Sequence, residues 1–440
     1  MAGFAYVFEK FRRDSYEAYG MYPVMFYSLP GFAWAAMFRK TKVEVDLLKE
    51  YEMFAFYEQS IRGGLVQLTK HYQKADNIYT NPENHENEND FSRYLFLFDA
   101  NALYSWAMTQ PLPTGNHRWI MEAEKLEKMF PANQLEDWPD RMGDTGYTLM
   151  VDLECSWELM AETESLPLAP TRETLMPDKY SLLMLKQFRD CNPEKGRSRA
   201  EQKLMATQSR KEKNIVHFRI LHFYLSMGMK LMKVHCAVAF DQSPFMASYI
   251  NFNIAKRIEE AGDPGKSDFY KLLNNAVFGK TQEQQRKHMN LTLEVDPERQ
   301  QLLIGRDSYL GSVVFTDTLA GIFQRKKKTM LKHPIYIGSA ILDHSKLLMY
   351  YFFYKVIRPM FGIVSVMYMD TDSFLLDIQD ENVIQKLTTL KNAWIDGSKM
   401  PEDHPLHSKD VAGKLGKFKE ELCGIPITEV VALRPKMYCI

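Results

Sequence analysis

The segment at 366–376 reads Val-Met-Tyr-Met-Asp-Thr-Asp-Ser-Phe-Leu-Leu, an apolar run that breaks for two carboxylates and then resumes. The pattern predicts a β-hairpin with Asp370 and Asp372 at its tip. Strand residues alternate faces, so in a tight turn both carboxylates can point the same way, and neighbouring carboxylates repel unless a cation lies between them. Mg²⁺ suits that place. Asp is also a favoured turn residue, so an ordinary hairpin turn stays open on this segment alone.

With 440 residues, 45% hydrophobic and 25% charged, the chain has apolar material for a large core and several domains. Its most apolar stretch, 347–366, is interrupted by Lys355, Arg358 and Pro359, so it lacks the roughly 20 apolar residues of a membrane span. Glu9, Arg12 and Arg13 fall where a signal peptide needs its apolar centre. Neither secretion nor membrane insertion is expected. Cys155, Cys191, Cys236, Cys423 and Cys439 are scattered without Cys-x-x-Cys or His spacing, which argues against a disulfide frame or a zinc site. A net charge of -1 excludes a uniformly basic nucleic-acid binder. Locally, 195–213 carries seven basic residues against two acidic ones, Arg325, Lys326, Lys327, Lys328 and Lys332 form a second basic run, and 122–144 is mainly acidic. Each basic run is either a solvated face or a phosphate contact.

Along the chain, residues 1–80 have the three-and-four spacing of helices (Phe4, Val7, Phe8, Phe11; Leu47, Leu48, Met53, Phe54, Tyr57), and Gly63-Gly64 marks a close backbone approach or a helix end. The polar segment 81–90 reads as a loop. Tyr94 to Phe98 has a buried-strand pattern ending at Asp99, followed by a turn into a short helix. Residues 115–205 mix short strands with Pro-rich and acidic connectors and read as an insertion rather than core. From Ile215 the pattern is helical, and 245–278 reads as a helical hairpin turning at Gly262-Asp263-Pro264-Gly265. Residues 290–334 are strand-like and then basic, and 338–358 is a long apolar-faced helix.

In the second helix of the hairpin, Lys271, Asn275 and Phe278 share one face, where a surface helix with a snorkelling Lys is the plain alternative. Phosphoryl transfer uses two divalent ions about 3.5–4 Å apart, held by carboxylates from separate strands. Asp99, Asp370 and Asp372 would supply that clamp. A triphosphate needs a cation beside the metals, for which Lys271 is the first choice and Arg257 the second.

These residues resemble the motifs of a family B DNA polymerase, and more closely its protein-primed branch of viruses, linear plasmids and self-synthesising transposons. Asp-x-x-Ser-Leu-Tyr-Pro appears as Asp99 to Ser105 with Ala102, Leu103 and Tyr104; Lys-x-x-x-Asn-Ser-x-Tyr-Gly as Lys271 to Gly279 with Ala276 and Phe278. Tyr-x-Asp-Thr-Asp-Ser is matched completely from Tyr368 to Ser373. Tyr-x-Gly-Gly appears as Ile61-Arg62-Gly63-Gly64, and Lys-x-Tyr as Lys436-Met437-Tyr438. The departures remove no metal ligand and no charge.

The resemblance implies a mixed α/β right-hand fold: an exonuclease remnant and template-binding linker at 1–80, palm at 81–114 and 334–405, fingers at 206–280, thumb at 406–440, and terminal-protein-type insertions at 115–205 and 281–333. It implies metal ligation and catalysis by Asp99, Asp370 and Asp372 with two Mg²⁺ ions, for which Mn²⁺ can substitute. Leu103, Tyr104, Arg257, Lys271, Asn275 and Phe278 would bind the nucleotide. Arg62, Gly63, Gly64, Tyr368, Thr371, Ser373, Lys417, Lys436 and Tyr438 would bind DNA. The implied partners are primer-template DNA, deoxynucleotides, a terminal priming protein and a separate exonuclease chain. Phe4 to Arg12 resembles the helix that follows the third exonuclease motif, so proofreading is expected to be absent, with Phe4, Val7, Phe8 or Phe11 exposed. An unrecognised nuclease site from Asp14, Glu44 and Asp46 is the alternative. A reverse transcriptase is the nearest enzymatic rival, but its turn is usually Asp-Asp. A catalytically degenerate mobile-element remnant that only binds DNA or a priming protein is the non-enzymatic one.

Overall fold

The computed structural model describes residues 2–440 other than 83–91, 133, 136–137, 139–142, 176–180, 192–200, 261, 327 and 329. Most of the expected 81–90 loop, the start of the 195–213 basic run and Lys327 thus lie outside the described residues.

The apolar runs on either side of Asp370 and Asp372 pair as expected, and they form the middle of an antiparallel five-stranded sheet. Its order is Val66–Leu68, Ile363–Asp370, Ser373–Gln379, Arg93–Ala100, Phe418–Glu420. Alternation puts Tyr94, Phe96 and Phe98 on one face and Leu95 and Leu97 on the other, and both faces are covered. That is why these strands read as unbroken apolar runs. The Phe98 face lies under a helix, Ile335–Tyr351, that is buried all round from Tyr336 to Lys346. The expected helix at 338–358 thus begins earlier, and it ends in a π-helical turn, Phe352–Ile357. Phe352 stacks on Phe418 with ring centroids 3.6 Å apart, tying the helix to the last strand of the sheet.

A second antiparallel sheet has the order Leu112–Ile120, Lys230–Ser243, Thr145–Glu154, Lys211–His217. It corrects two expectations. The segment 115–205 is not merely an insertion, because Leu149, Val151 and Leu153 are wholly buried in the same apolar cluster as Phe98 and Phe374. The short strands read there do form, as Thr145–Glu154, but the Pro-rich and acidic connectors that dominate the composition conceal that they belong to the core. The helical reading from Ile215 onward also fails for Lys211–His217 and Lys230–Ser243. The buried part of the latter, Cys236 to Phe240, is a short apolar run that periodicity alone cannot assign.

The N-terminal part is helical over Ala2–Tyr19, Leu29–Thr41 and Tyr51–Ser60, but Leu47 and Leu48 precede the third helix instead of lying on it, and Val66–Leu68 and Tyr72–Lys74 are strands. The helical hairpin is Ala247–Glu259 and Pro264–Thr281, and Asp263 caps its second arm by accepting from the Gly265 and Lys266 amides at 3.1 and 3.3 Å. The first helix leans on this hairpin through Phe11 against Phe269 (5.2 Å) and Lys10 to Asp263 (2.8 Å), while Phe4, Val7 and Phe8 stay exposed. Residues 289–325 form a small sheet, Met289–Glu294, Ala320–Arg325 and Tyr309–Val314. Near the C-terminus, Glu429–Arg434 pairs with Met437–Cys439 and with Tyr72–Lys74. Among the described residues no helix is long and apolar enough to cross a membrane.

Candidate active site

The hairpin turn has only two residues between its strands, Thr371 and Asp372, since Asp370 pairs with Ser373. Thr371 holds φ +61°, a left-handed conformation that a β-branched side chain rarely adopts. Its amide donates to the Leu65 carbonyl at 2.8 Å, and its side chain fills the space where a Cβ on Gly64 would sit. Gly64 is therefore required by the turn itself. On the other side, Ser373 pairs with Asp99, and the Ala100 amide donates to the Asp372 carbonyl at 2.8 Å. The register of three adjacent strand segments thus brings Asp99, Asp370 and Asp372 to one end of the sheet.

Crowding and burial mark these carboxylates. Burial pushes Asp99 up to about 6, with Lys419 pulling it down and Asp372 adding to the rise. Burial also raises Asp372, and Asp370 adds to it. Lys419 sits on the strand next to Asp99, with its Nζ 3.1 Å from Asp99 Oδ1 and 2.5 Å from Glu421 Oε1. On the opposite flank, Lys436 Nζ reaches Asp370 Oδ2 at 2.6 Å. The Tyr368 hydroxyl donates to the same oxygen at 3.0 Å and accepts from the Lys436 amide at 3.0 Å. Burial lifts that phenol to about 12. The Tyr438 ring lies 5.0 Å from the Tyr368 ring, so the two ends of the Lys-x-Tyr segment both meet the aspartate hairpin.

Tyr104 follows the sheet in the short helix Leu103–Met108, which begins after Ala102 in a left-handed conformation. Its ring stacks on Phe278, centroids 4.0 Å apart, and burial with the nearby Asp372 raises its phenol to about 12. On the same helix as Phe278, Lys271 and Asn275 are exposed, and Arg257 is half-buried on the preceding helix. Ser373 is half-buried, its hydroxyl 3.4 Å from the Asp370 carbonyl.

Three assigned residues stand elsewhere. Leu103 is 2% exposed and belongs to the core, so its side chain is not a nucleotide contact. Arg62 is buried and donates to Asn214 Oδ1 and the Ile215 carbonyl, so its guanidinium is not offered to DNA. Lys417 donates to the Ala393 carbonyl and lies over the Trp394 ring. In the basic run at 195–213, Lys211 is buried and donates to the Thr207 carbonyl at 2.8 Å, so that part of the run is not a surface. Asp14 faces Lys266 and Asp46 accepts from the Asn116 amide, so these two acids serve different elements. Lys419 and Glu421 were not singled out from sequence. The signal available was the Lys-Phe-Lys-Glu-Glu run beginning at Lys417, whose register beside Asp99 no local pattern gives.

Among the described residues no three His, Cys, Asp or Glu side chains converge to enclose one ion. That is compatible with Mg²⁺, which usually takes one or two carboxylates and fills its shell with water and substrate phosphates. The hard oxygen donors, and the rise of Asp99 and Asp372, fit a site that gains from a cation.

Residues 5–353 match the family model described as DNA polymerase type B, organellar and viral. The chain belongs to this family. Among solved structures, this type B polymerase chain is similar to phi29 DNA polymerase in an orthorhombic crystal form, with a TM-score of 0.51 and 12% identity over 92% of this chain and 55% of that one. The phi29 polymerase complexed with primer-template DNA gives a TM-score of 0.50 and 12% identity over 93% and 54%. At such identity the likeness is one of fold. This chain spans about half the length of those two. A search of curated proteins found no match.

Proposed function

We propose that this chain carries out template-directed DNA synthesis, adding deoxynucleotides to a primer 3′-hydroxyl or to a hydroxyl of a priming protein, in replication of a viral or mobile-element genome. The observation that carries this reading is the strand register that gathers Asp99, Asp370 and Asp372 beside the Tyr104–Phe278 stack. In this reading the central sheet is the palm, the Ala247–Glu259 and Pro264–Thr281 hairpin the fingers, and residues from 406 onward the thumb.

Asp99, Asp370 and Asp372 would hold two Mg²⁺ ions, or Mn²⁺ in their place. Ions held there would supply activation of the attacking hydroxyl and stabilisation of the leaving oxygen. The chain's own side chains then divide the remaining work. Lys271, with Arg257 behind it, neutralises the triphosphate; Asn275 and Phe278 line the nucleotide's seat; and the Tyr104 ring lies under the sugar. Lys436 and Tyr438 hold the primer end against Tyr368, and Gly63, with open space beside it, leaves room for the template strand. Lys419 and Lys436 compete with any cation for the carboxylates, which makes the metal requirement steep.

Primer extension on a DNA template with Mg²⁺ and deoxynucleotides tests the reading. Template-dependent products are expected from the wild-type chain. Their absence with Mg²⁺ and with Mn²⁺, alongside retained DNA binding, would favour the non-catalytic alternative.

A further inference from the structure

The loop 61–65 is held from behind by two buried cations. Arg62 donates to Asn214 Oδ1 and the Ile215 carbonyl, while the Lys346 ammonium, buried in the all-round buried helix, donates to the Arg62 carbonyl at 2.8 Å and the Leu342 carbonyl at 3.1 Å. Among the described residues no carboxylate is hydrogen-bonded to either cation: the nearby Asp343 spends Oδ2 on the His217 amide at 2.8 Å. Burial pulls the Lys346 ammonium down to about 8. The Asp343 charge nearby offsets part of the cost of burying this ammonium, but no carboxylate takes its hydrogen bonds, and an apolar side chain of the same length would fit the place without that burial cost. What the amine does gain is a fixed Arg62 carbonyl. Three residues on, the Leu65 carbonyl accepts the Thr371 amide at 2.8 Å, and Gly64 receives the Thr371 side chain.

We propose that Lys346 is a positioning residue for the Asp370–Asp372 turn: it clamps the loop 61–65 so that Gly64 and Leu65 fix Thr371 in its left-handed conformation between the two aspartates. The paired glycines are on this view a seat for the turn as much as a passage for the template. The inference rests on the reading of these aspartates as metal ligands, but the clamp itself is measurable without catalysis.

Lys346→Met keeps the stem and removes the donor. By hydrogen exchange, the amides at 371 and 372 are expected to exchange about tenfold faster than in wild type, with kcat for extension about tenfold lower and primer-template Kd within about twofold. The thermal midpoint should be unchanged or raised. Unchanged exchange at Thr371, or a kcat loss that only tracks a lowered midpoint, overturns the proposal. Should Lys346→Met not fold, Gly64→Ala and Gly64→Ala/Thr371→Gly decide: the single variant is expected to lose kcat and the double to recover most of it, and no recovery overturns the seat. A wild-type chain that extends no primer refutes the polymerase reading alone, and the exchange comparison still judges the clamp.

Discussion

The ring of Tyr104 lies on that of Phe278, centroids 4.0 Å apart and planes within 16° of parallel. One residue comes five positions after Asp99, and the other comes from the helix bearing Lys271. The stack therefore links the aspartate sheet to the helical hairpin, and in the proposed reading the Tyr104 ring lies under the sugar of an incoming nucleotide. Tyr104→Ala should admit ribonucleotides at least about tenfold more readily, because the ring no longer blocks a 2′-hydroxyl. Competition between ribo- and deoxynucleotides in single-turnover extension measures this, and unchanged discrimination would make the ring simple core packing.

Asp99→Asn and Asp370→Asn should each leave a folded protein that binds primer-template yet extends it about a hundredfold more slowly or worse. Both amides keep the strand register while losing a metal-binding charge. Extension within a few-fold of wild type for both variants would remove the metal assignment.

The pH response follows from Asp99, which burial lifts from 3.8 to about 6. Between those values the fold binds a proton that the unfolded chain has released, so this group's contribution favours the fold at low pH and fades as pH rises. Activity runs the opposite way, since only the carboxylate can hold a metal. Extension should rise as pH passes 6, with a lower half-saturating Mg²⁺ above it. Because Lys419 pulls Asp99 down, Lys419→Gln should move the acid limb of the pH–rate profile upward. A limb that stays in place would show that another group controls it.

Phe352→Ala empties the seat of a ring that stacks at 3.6 Å on Phe418, both residues being fully buried. A loss of about 3–5 kcal/mol in chemical denaturation is expected. The adjacent strand carries Lys419, so the variant should also loosen the Lys419–Asp99 pair. A loss under about 1 kcal/mol would mean that the site repacks.

A primer with a mismatched 3′ end, incubated with Mg²⁺ or Mn²⁺ but no nucleotide, should not be shortened by this chain. Of the alternative set Asp14, Glu44 and Asp46, Asp14 faces Lys266 and Asp46 accepts from the Asn116 amide, two different elements. Shortening that persists in Asp370→Asn would reveal a nuclease centre apart from the aspartate hairpin.

Sequence disclosed what is local. The Asp370–Asp372 hairpin, the strand ending at Asp99 and the Lys271 helix were readable because period and turn chemistry lie within a few residues. Arg62 misled, because a charged residue beside two glycines gives no sign that its guanidinium will be buried against Asn214 and Ile215. Lys419 and Glu421 were missed for a related reason. Their importance depends on strand Phe418–Glu420 choosing Arg93–Ala100 as its neighbour, a pairing set by the Phe352–Phe418 stack and not by any pattern near Lys419. The strand Lys230–Ser243 was hidden by a short apolar run whose period is ambiguous.

The sheet order has a temporal side. Asp99 and Asp370 stand 271 positions apart in sequence, and Lys419 lies farther on still. Each reaches the other only through strands that close very large loops, and such contacts form slowly because the entropy of closure precedes any gain from pairing. The strand Phe418–Glu420 can dock beside Arg93–Ala100 only after more than 300 further residues have emerged from the ribosome. A chain that stops short of Phe418 therefore carries the acids without Lys419 beside Asp99, and the Lys419–Asp99 pair reports that this late strand has found its register.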